Sequence, residues 1–284
     1  LTNNGTITTS TALSGAGTLT QGATGILNIG GTAGITTLNA SATGNTVDYT
    51  GAEQTVTSAT YHHLTLSGSG TPILTGVSTI NGNFLLSGTV TPIATTGMAF
   101  GGNLTLSSGT SFDAGSFSHT LKGNWNNAGT FNANASTFTL NGISPQTMSG
   151  STFNILEINN VAGVSMLSDE TIVNTLTLIS GAFSIDAHTL TLNGALSIGG
   201  GSLVGGLSSN IVVGGSGAST TLPAITLNNL TLNRASGDSL GGDATINGAL
   251  TIANGTLNTG VNAVILGLAG TLSEPAGQPV VGTV

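Results

Sequence analysis

The feature that most constrains this chain is a pair of apolar residues two positions apart that returns every 20 residues. Leu64 with Leu66, Phe84 with Leu86 and Leu104 with Leu106 make one such series. Leu156 with Ile158, Leu176 with Leu178 and Leu196 with Ile198 make a second, and Leu230 with Leu232 and Leu250 with Ile252 a third. Extended backbone sends residues two apart to one face and the residue between them to the other. The residue between is small and hydroxylated at Thr65, Thr105, Thr177, Ser197, Thr231 and Thr251. A fixed period near 20, with alternation inside each period, marks a coil of short strands in which each turn stacks on the last.

The period predicts an all-β, right-handed parallel β-helix (a β-solenoid) of about 14 rungs of roughly 20 residues each. At a strand spacing of about 4.8 Å such a stack is roughly 65–70 Å long. Residues 1–46 read as degenerate N-terminal rungs of small side chains. Residues 47–137 form a first super-repeat, 138–210 a second and 211–284 a third, all in one continuous stack. The super-repeats are set by kindred blocks: Val47–Gly51, Phe138–Gly142 and Ile211–Gly215 each precede a second block at Tyr61, Phe153 and Leu227. Gln54-Thr55-Val56 and Gln146-Thr147-Met148 are parallel as well. Asn before Gly, at Asn81, Asn193 and Asn247, is expected at corners, with Gly supplying a positive φ and Asn laddering onto the neighbouring rung.

Only 4% of the 284 residues are charged, and 45 are glycine. Apolar periodicity and a mean hydropathy of +0.34 favour strands and tight turns over a disordered chain. Lys122 and Arg234 are the only fixed positive side chains against 10 acidic residues, a net charge of -8. Nucleic acid is therefore excluded as a partner, since phosphates require clustered cations. No apolar run approaches the roughly 18 residues of a membrane helix, so no membrane span is expected. There is no cysteine, hence no disulfide or thiolate metal site. Leu1 opens inside repeat-like sequence, which reads as a mature or trimmed segment. Neither end carries an evident cap, so either further sequence continues the rod or copies self-associate, end to end or side by side.

Catalysis finds little footing. A lyase acting on acidic sugars needs a cation to neutralise developing charge, and Lys122 and Arg234 lie roughly 25 Å apart at five rungs' separation. Adjacent Asp169 and Glu170 would face opposite ways on a strand. Asp238 and Asp243 flank Gly241-Gly242 and could converge. No cofactor is expected. Calcium has only weak candidates in Asp186, Asp238 and Asp243, because the repeated Gly-Gly-x-Gly-x-Asp pattern is missing. His62-His63, His119 and His188 do not make a ligand set. Ten of the eleven aromatics fall between Tyr49 and Phe153. Most are expected to fill a wider core there, with Trp125 and Tyr61 as the candidates for contact with a surface glycan.

Several stretches carry a resemblance. Thr-Leu-Asn-Gly-Ala-Leu-Ser-Ile (191–198), Thr-Ile-Asn-Gly-Ala-Leu-Thr-Ile (245–252), Asn-Asn-Ala-Gly-Thr-Phe (126–131) and Thr-Leu-Ser-Glu-Pro-Ala-Gly (271–277) resemble the Gly/Thr/Asn-rich β-solenoid repeats of bacterial secreted and cell-surface proteins, of the filamentous haemagglutinin and autotransporter adhesin kind. The resemblance implies an extracellular or cell-surface location and structural or adhesive work as a stalk, surface layer or end-to-end filament. It carries no catalytic residue onto this chain. The alternatives are a carbohydrate-binding or polysaccharide-degrading β-helix and an ice-binding solenoid with outward Thr.

Overall fold

The computed structural model describes residues 1–284. The chain is an all-β parallel solenoid of roughly 14 turns, about 20 residues to a turn, and no helix forms. It divides into two compact units, Leu1–Asn141 and Gly142–Val284.

In the first unit the strand Phe84–Leu86 lies between His63–Leu66 and Leu104–Leu106, all parallel. Leu64, Phe84 and Leu104 are in direct register, as are Leu66, Leu86 and Leu106. The 20-residue period of the sequence is thus one turn of the coil. Trp125 continues the first column by pairing with Leu104, and Asn127 meets Leu106 in the second. In the second unit Leu156 pairs with Leu176, which pairs with Leu196. Ile158 pairs with Leu178, which pairs with Ile198. Ile211 and Val213 there pair with Leu230 and Leu232, which pair in turn with Leu250 and Ile252. Stacked identical registers let apolar side chains pack like on like, and burying each of the larger ones removes enough surface from water to stabilise by about 1.5–3 kcal/mol.

Of the sixteen column residues expected inside, fourteen are buried. Leu196 is only half-buried and Ile198 is 41% exposed, a correction to the sequence expectation. The strand Ala195–Val204 pairs with Glu170–Ser184 on one side. After Asn210–Val213 the next turn runs through residues 214–220 without strand structure. No ladder therefore forms over Ile198, and its outer flank meets solvent.

Ile158 and Leu178 are both fully buried and keep the expected period, but the strand pairing does not stay regular beyond them. The register slips by one residue directly after this pair: Ile158 faces Leu178, whereas Asn159 faces Ser180. Ile179 is the extra residue, and it is 39% exposed. An inserted residue of this kind is a β-bulge, which interrupts alternation and re-aims the residues that follow. The sequence spacing of 20 from Ile158 to Leu178 to Ile198 hides the slip, because it falls after the pair, just as a first slip of the same sign, between Phe153 and Ile155, falls before it.

The core of the first unit is aromatic. Phe84, Phe100 and Phe138 stack nearly parallel, with centroids 5.7 and 6.5 Å apart. Phe112 meets Phe84 and Phe100 edge-on. His119 lies in the same stack, 4.8 Å from Phe138.

The Asn-Gly corners need glycine for a different reason from the one expected. Gly82, Gly194 and Gly248 are not among the positive-φ glycines. A Cβ on Gly82 would instead lie 2.6 Å from Nδ1 of His63, and one on Gly194 only 1.7 Å from the carbonyl oxygen of Asn174. The neighbouring rung approaches too closely for any side chain. Positive φ is taken elsewhere, for example at Gly88 (φ 69°) after Ser87.

Candidate binding surface

The two aromatics considered for a glycan are both sealed in the core. Trp125 is fully buried, packed edge-on against Phe131 and Phe138 at 4.6 and 5.2 Å. Tyr61 is fully buried too, its hydroxyl 3.1 Å from that of Tyr49 and donating to the carbonyl of Thr57. Burial raises its phenol well above the ordinary range, and Tyr49 beside it pushes the same way. Neither ring offers a face to a sugar. Inward alternation decides both cases, since each occupies a column position of its rung.

The calcium candidates do not converge. Asp238 is buried and faces Arg234, with 3.2 Å from its Oδ1 to Nη1. That oxygen also accepts the N–H of Thr220 at 2.6 Å. Burial pushes its carboxyl up, while the N–H of Thr220 and the charge of Arg234 pull it back. Asp243 accepts the N–H of Ala263 at 2.8 Å. Asp186 stands exposed at positive φ (53°) on a turn. No group of three or more His, Cys, Asp or Glu side chains comes together anywhere.

Arg234 is the largest departure from the repeat. It is buried and uses all five of its N–H bonds. Nε donates to Gly214, Nη1 to Ala218 and to Asp238, and Nη2 to Leu192 and Gly194, at 2.7–3.2 Å. These carbonyls belong to successive turns, and residues 214–218 have no strand partner of their own. The guanidinium does there what a strand ladder does elsewhere. Gln54 plays a smaller version in the first unit, donating to Ile29 and Gly31 and accepting from Gly51 at 2.7 Å.

Glu170 is the second buried acid. Its Oε2 accepts the N–H of Ser151 at 2.9 Å, and its Oε1 has no partner. Burial pushes its pKa up to about 8, against the pull of the Ser151 and Gly150 N–H groups. His119, buried, accepts from Met98 at Nδ1 and sits 2.9 Å from the carbonyl of Ala114 at Nε2; burial lowers its pKa. His188 lies 4.0 Å from the exposed carboxylate of Asp169.

The surface feature with the most order lies on the outer face of the first unit, and the sequence reading did not single it out. Nδ1 of His63 accepts the N–H of Asn83 at 3.0 Å. Oδ1 of Asn83 accepts the N–H of Asn103 at 2.9 Å, and Oδ1 of Asn103 that of Asn124 at 2.8 Å. Each side chain caps the next turn, one rung on. Beside this row the outward residues Thr65, Leu85 and Thr105 stand in register. Together they line a shallow depression of about 320 Å³. The signal was present as Gly-Asn before each apolar pair, at Gly82-Asn83, Gly102-Asn103 and Gly123-Asn124.

The outward hydroxyls of the second unit are irregular. Thr171, Thr191, Val212, Thr231, Thr251 and Ser273 fall in one register. The Thr-x-Thr unit at 189 and 191 gives way to Asn210 with Val212 and Asn229 with Thr231 in the next two turns.

No protein family, no curated protein and no solved structure matches the chain. The likeness to adhesin repeats accordingly rests on the repeat pattern.

Proposed function

We propose that the chain is a structural spacer of an extracellular or cell-surface assembly, without catalytic activity. The observation that supports this reading is where the carboxylates go. Asp48 accepts from Ser67, Glu53 from Thr71, Asp113 from Gly115 and Asn134, and Asp169 from Thr189. Glu170, Asp238, Asp243 and Glu274 accept from the backbone of Ser151, Thr220, Ala263 and Val280. Eight of the ten acids are thus engaged within the stack, most of them on the adjoining rung. An acid–base pair for chemistry needs two carboxyls about 5–9 Å apart and free to face one substrate, whereas these eight are each committed to hydrogen bonds within the protein. A nearly uncharged surface of hydroxyls and amides suits a hydrated, protease-resistant spacer, since it offers few cationic cleavage points.

A spacer tolerates change in units of one rung, because each turn touches only its neighbours. Ile26 and Thr46 are in register. Deleting residues 27–46 therefore removes one turn and is expected to leave a cooperatively folded protein, shorter by about 4.8 Å along the stack, as measured by small-angle scattering and denaturation. Release of reducing or unsaturated sugars from a polysaccharide panel by the intact chain would overturn the reading, as would collapse of the deletion variant.

A further inference from the structure

The row His63–Asn83–Asn103 is chemically one-sided. Each acceptor atom is already used by the next turn's N–H: Nδ1 of His63, Oδ1 of Asn83 and Oδ1 of Asn103. The donors of each side chain remain free, beside the second lone pair of each amide oxygen. With Nδ1 accepting, the imidazole proton sits on Nε2. The amides present Nδ2. The Oδ1 bonds fix the rotation of each amide, so these donors are held in place at the rung spacing of about 4.8 Å rather than sweeping through solvent. Burial and the adjacent His62 both lower the pKa of His63, so it presents a neutral N–H. Alongside runs a strip of Thr65, Leu85 and Thr105, in which the half-buried Leu85 is an apolar spot between two methyl-bearing hydroxyls.

The ligand that matches is a polymer with a regular row of neutral acceptors and a small apolar group beside each. Anionic polymers are disfavoured. The charged or titratable groups facing this region are Asp48, which pairs with Thr65, and His62 with His63. None of them supplies a fixed positive charge, and the chain as a whole carries -8. A plain glucan meets these donors only with hydroxyl and ether oxygens, weaker acceptors than an amide carbonyl. An acetamido group offers a carbonyl oxygen for a pinned N–H and a methyl for Leu85.

We propose that this face is a binding site for a neutral polysaccharide bearing acetamido groups, laid along the stack with the carbonyls of alternate sugars on His63 and Asn103, two rungs apart, and a methyl against Leu85. The site is independent of the spacer reading, which stands or falls on the rung deletion and the turnover assay.

The test is calorimetric titration of the full chain with tetra-N-acetylchitotetraose, with cellotetraose and polygalacturonate as comparisons. Saturable binding of the acetamido oligomer alone is expected. Asn103→Asp keeps an oxygen to accept the N–H of Asn124, and so keeps the fold, while removing the donor. It is expected to weaken binding by roughly tenfold or more. Leu85→Ser leaves the capping row untouched and is expected to weaken binding by a smaller factor. Absence of saturable binding by the parent chain, equal binding of cellotetraose, or unchanged affinity in folded Asn103→Asp would each overturn the proposal.

Discussion

The aromatic stack of the first unit and the Arg234 clamp of the second fasten neighbouring turns by opposite means. Around Phe84, Phe100, Phe112 and Phe138 the turns are joined by ring contacts. Such contacts are individually weak and spread over many atoms, and losing one leaves the others in place. Around Arg234 the turns are joined by five directed bonds from one guanidinium to four carbonyls and a carboxylate. Removing that single group strands every partner at once, and buried unpaired polar groups are costly. An apolar column should therefore weaken by degrees, whereas a polar clamp should fail as a whole.

The largest expected effect breaks the clamp. Arg234→Met keeps volume and loses all five donors, leaving Asp238 buried without its partner. A loss of about 3–5 kcal/mol is expected, read as hydrogen exchange opening over residues 192–220 before the rest of the second unit. Unchanged protection there would show that the 214–220 segment is held by something else. In the aromatic stack, Phe100→Leu should cost about 1–2 kcal/mol, measured by denaturation followed through Trp125, the only tryptophan. A loss as large as that of Arg234→Met would erase the contrast between the two regions.

The two units should also answer pH in opposite senses. Glu170 has a folded pKa of about 8 against an ordinary 4.5. Folding therefore favours its protonated form, and the second unit should lose stability as pH rises from about 4.5 to 8, with a slope approaching 1.4 kcal/mol per pH unit. Glu170→Gln should flatten that slope. His119 has a folded pKa below 6.5. Folding favours its neutral form, so the first unit should lose stability as pH falls below about 6.5. Denaturation midpoints across pH 4–8, read separately from Trp125 fluorescence and from exchange in the second unit, check both signs. The smallest effect belongs to the outer surface, where Thr105→Ala should change stability by about 0.5 kcal/mol or less.

Much of the fold was legible because alternation and period are local properties that every turn restates. Fourteen of the sixteen column residues are inside, and the slot shared by Leu104 and Trp125 could be read from Gly-Asn before each. The slip after Ile158 and Leu178 was not legible, because the two register shifts fall on either side of the apolar pairs and leave their spacing at 20. The candidate surface was far less legible still. Trp125 and Tyr61 drew attention as aromatics, yet column position outweighs residue type, and both rings are enclosed. Asn83 and Asn103 looked like turn residues. Their role depends on which backbone N–H the next turn brings within reach.

The sequence by itself determined the class of coil, the length of a turn and the inward columns, because these follow from spacing along the chain. It could not determine what happens where a turn departs from the pattern. Whether 214–220 makes a strand decides that Ile198 is exposed and that Arg234 can lie buried. Contacts across turns decide that Gly82 must be glycine, that Asp238 serves an arginine and that the Asn side chains hold their donors outward. Those outcomes depend on distances between residues some 20 positions apart, set only once the turns are stacked.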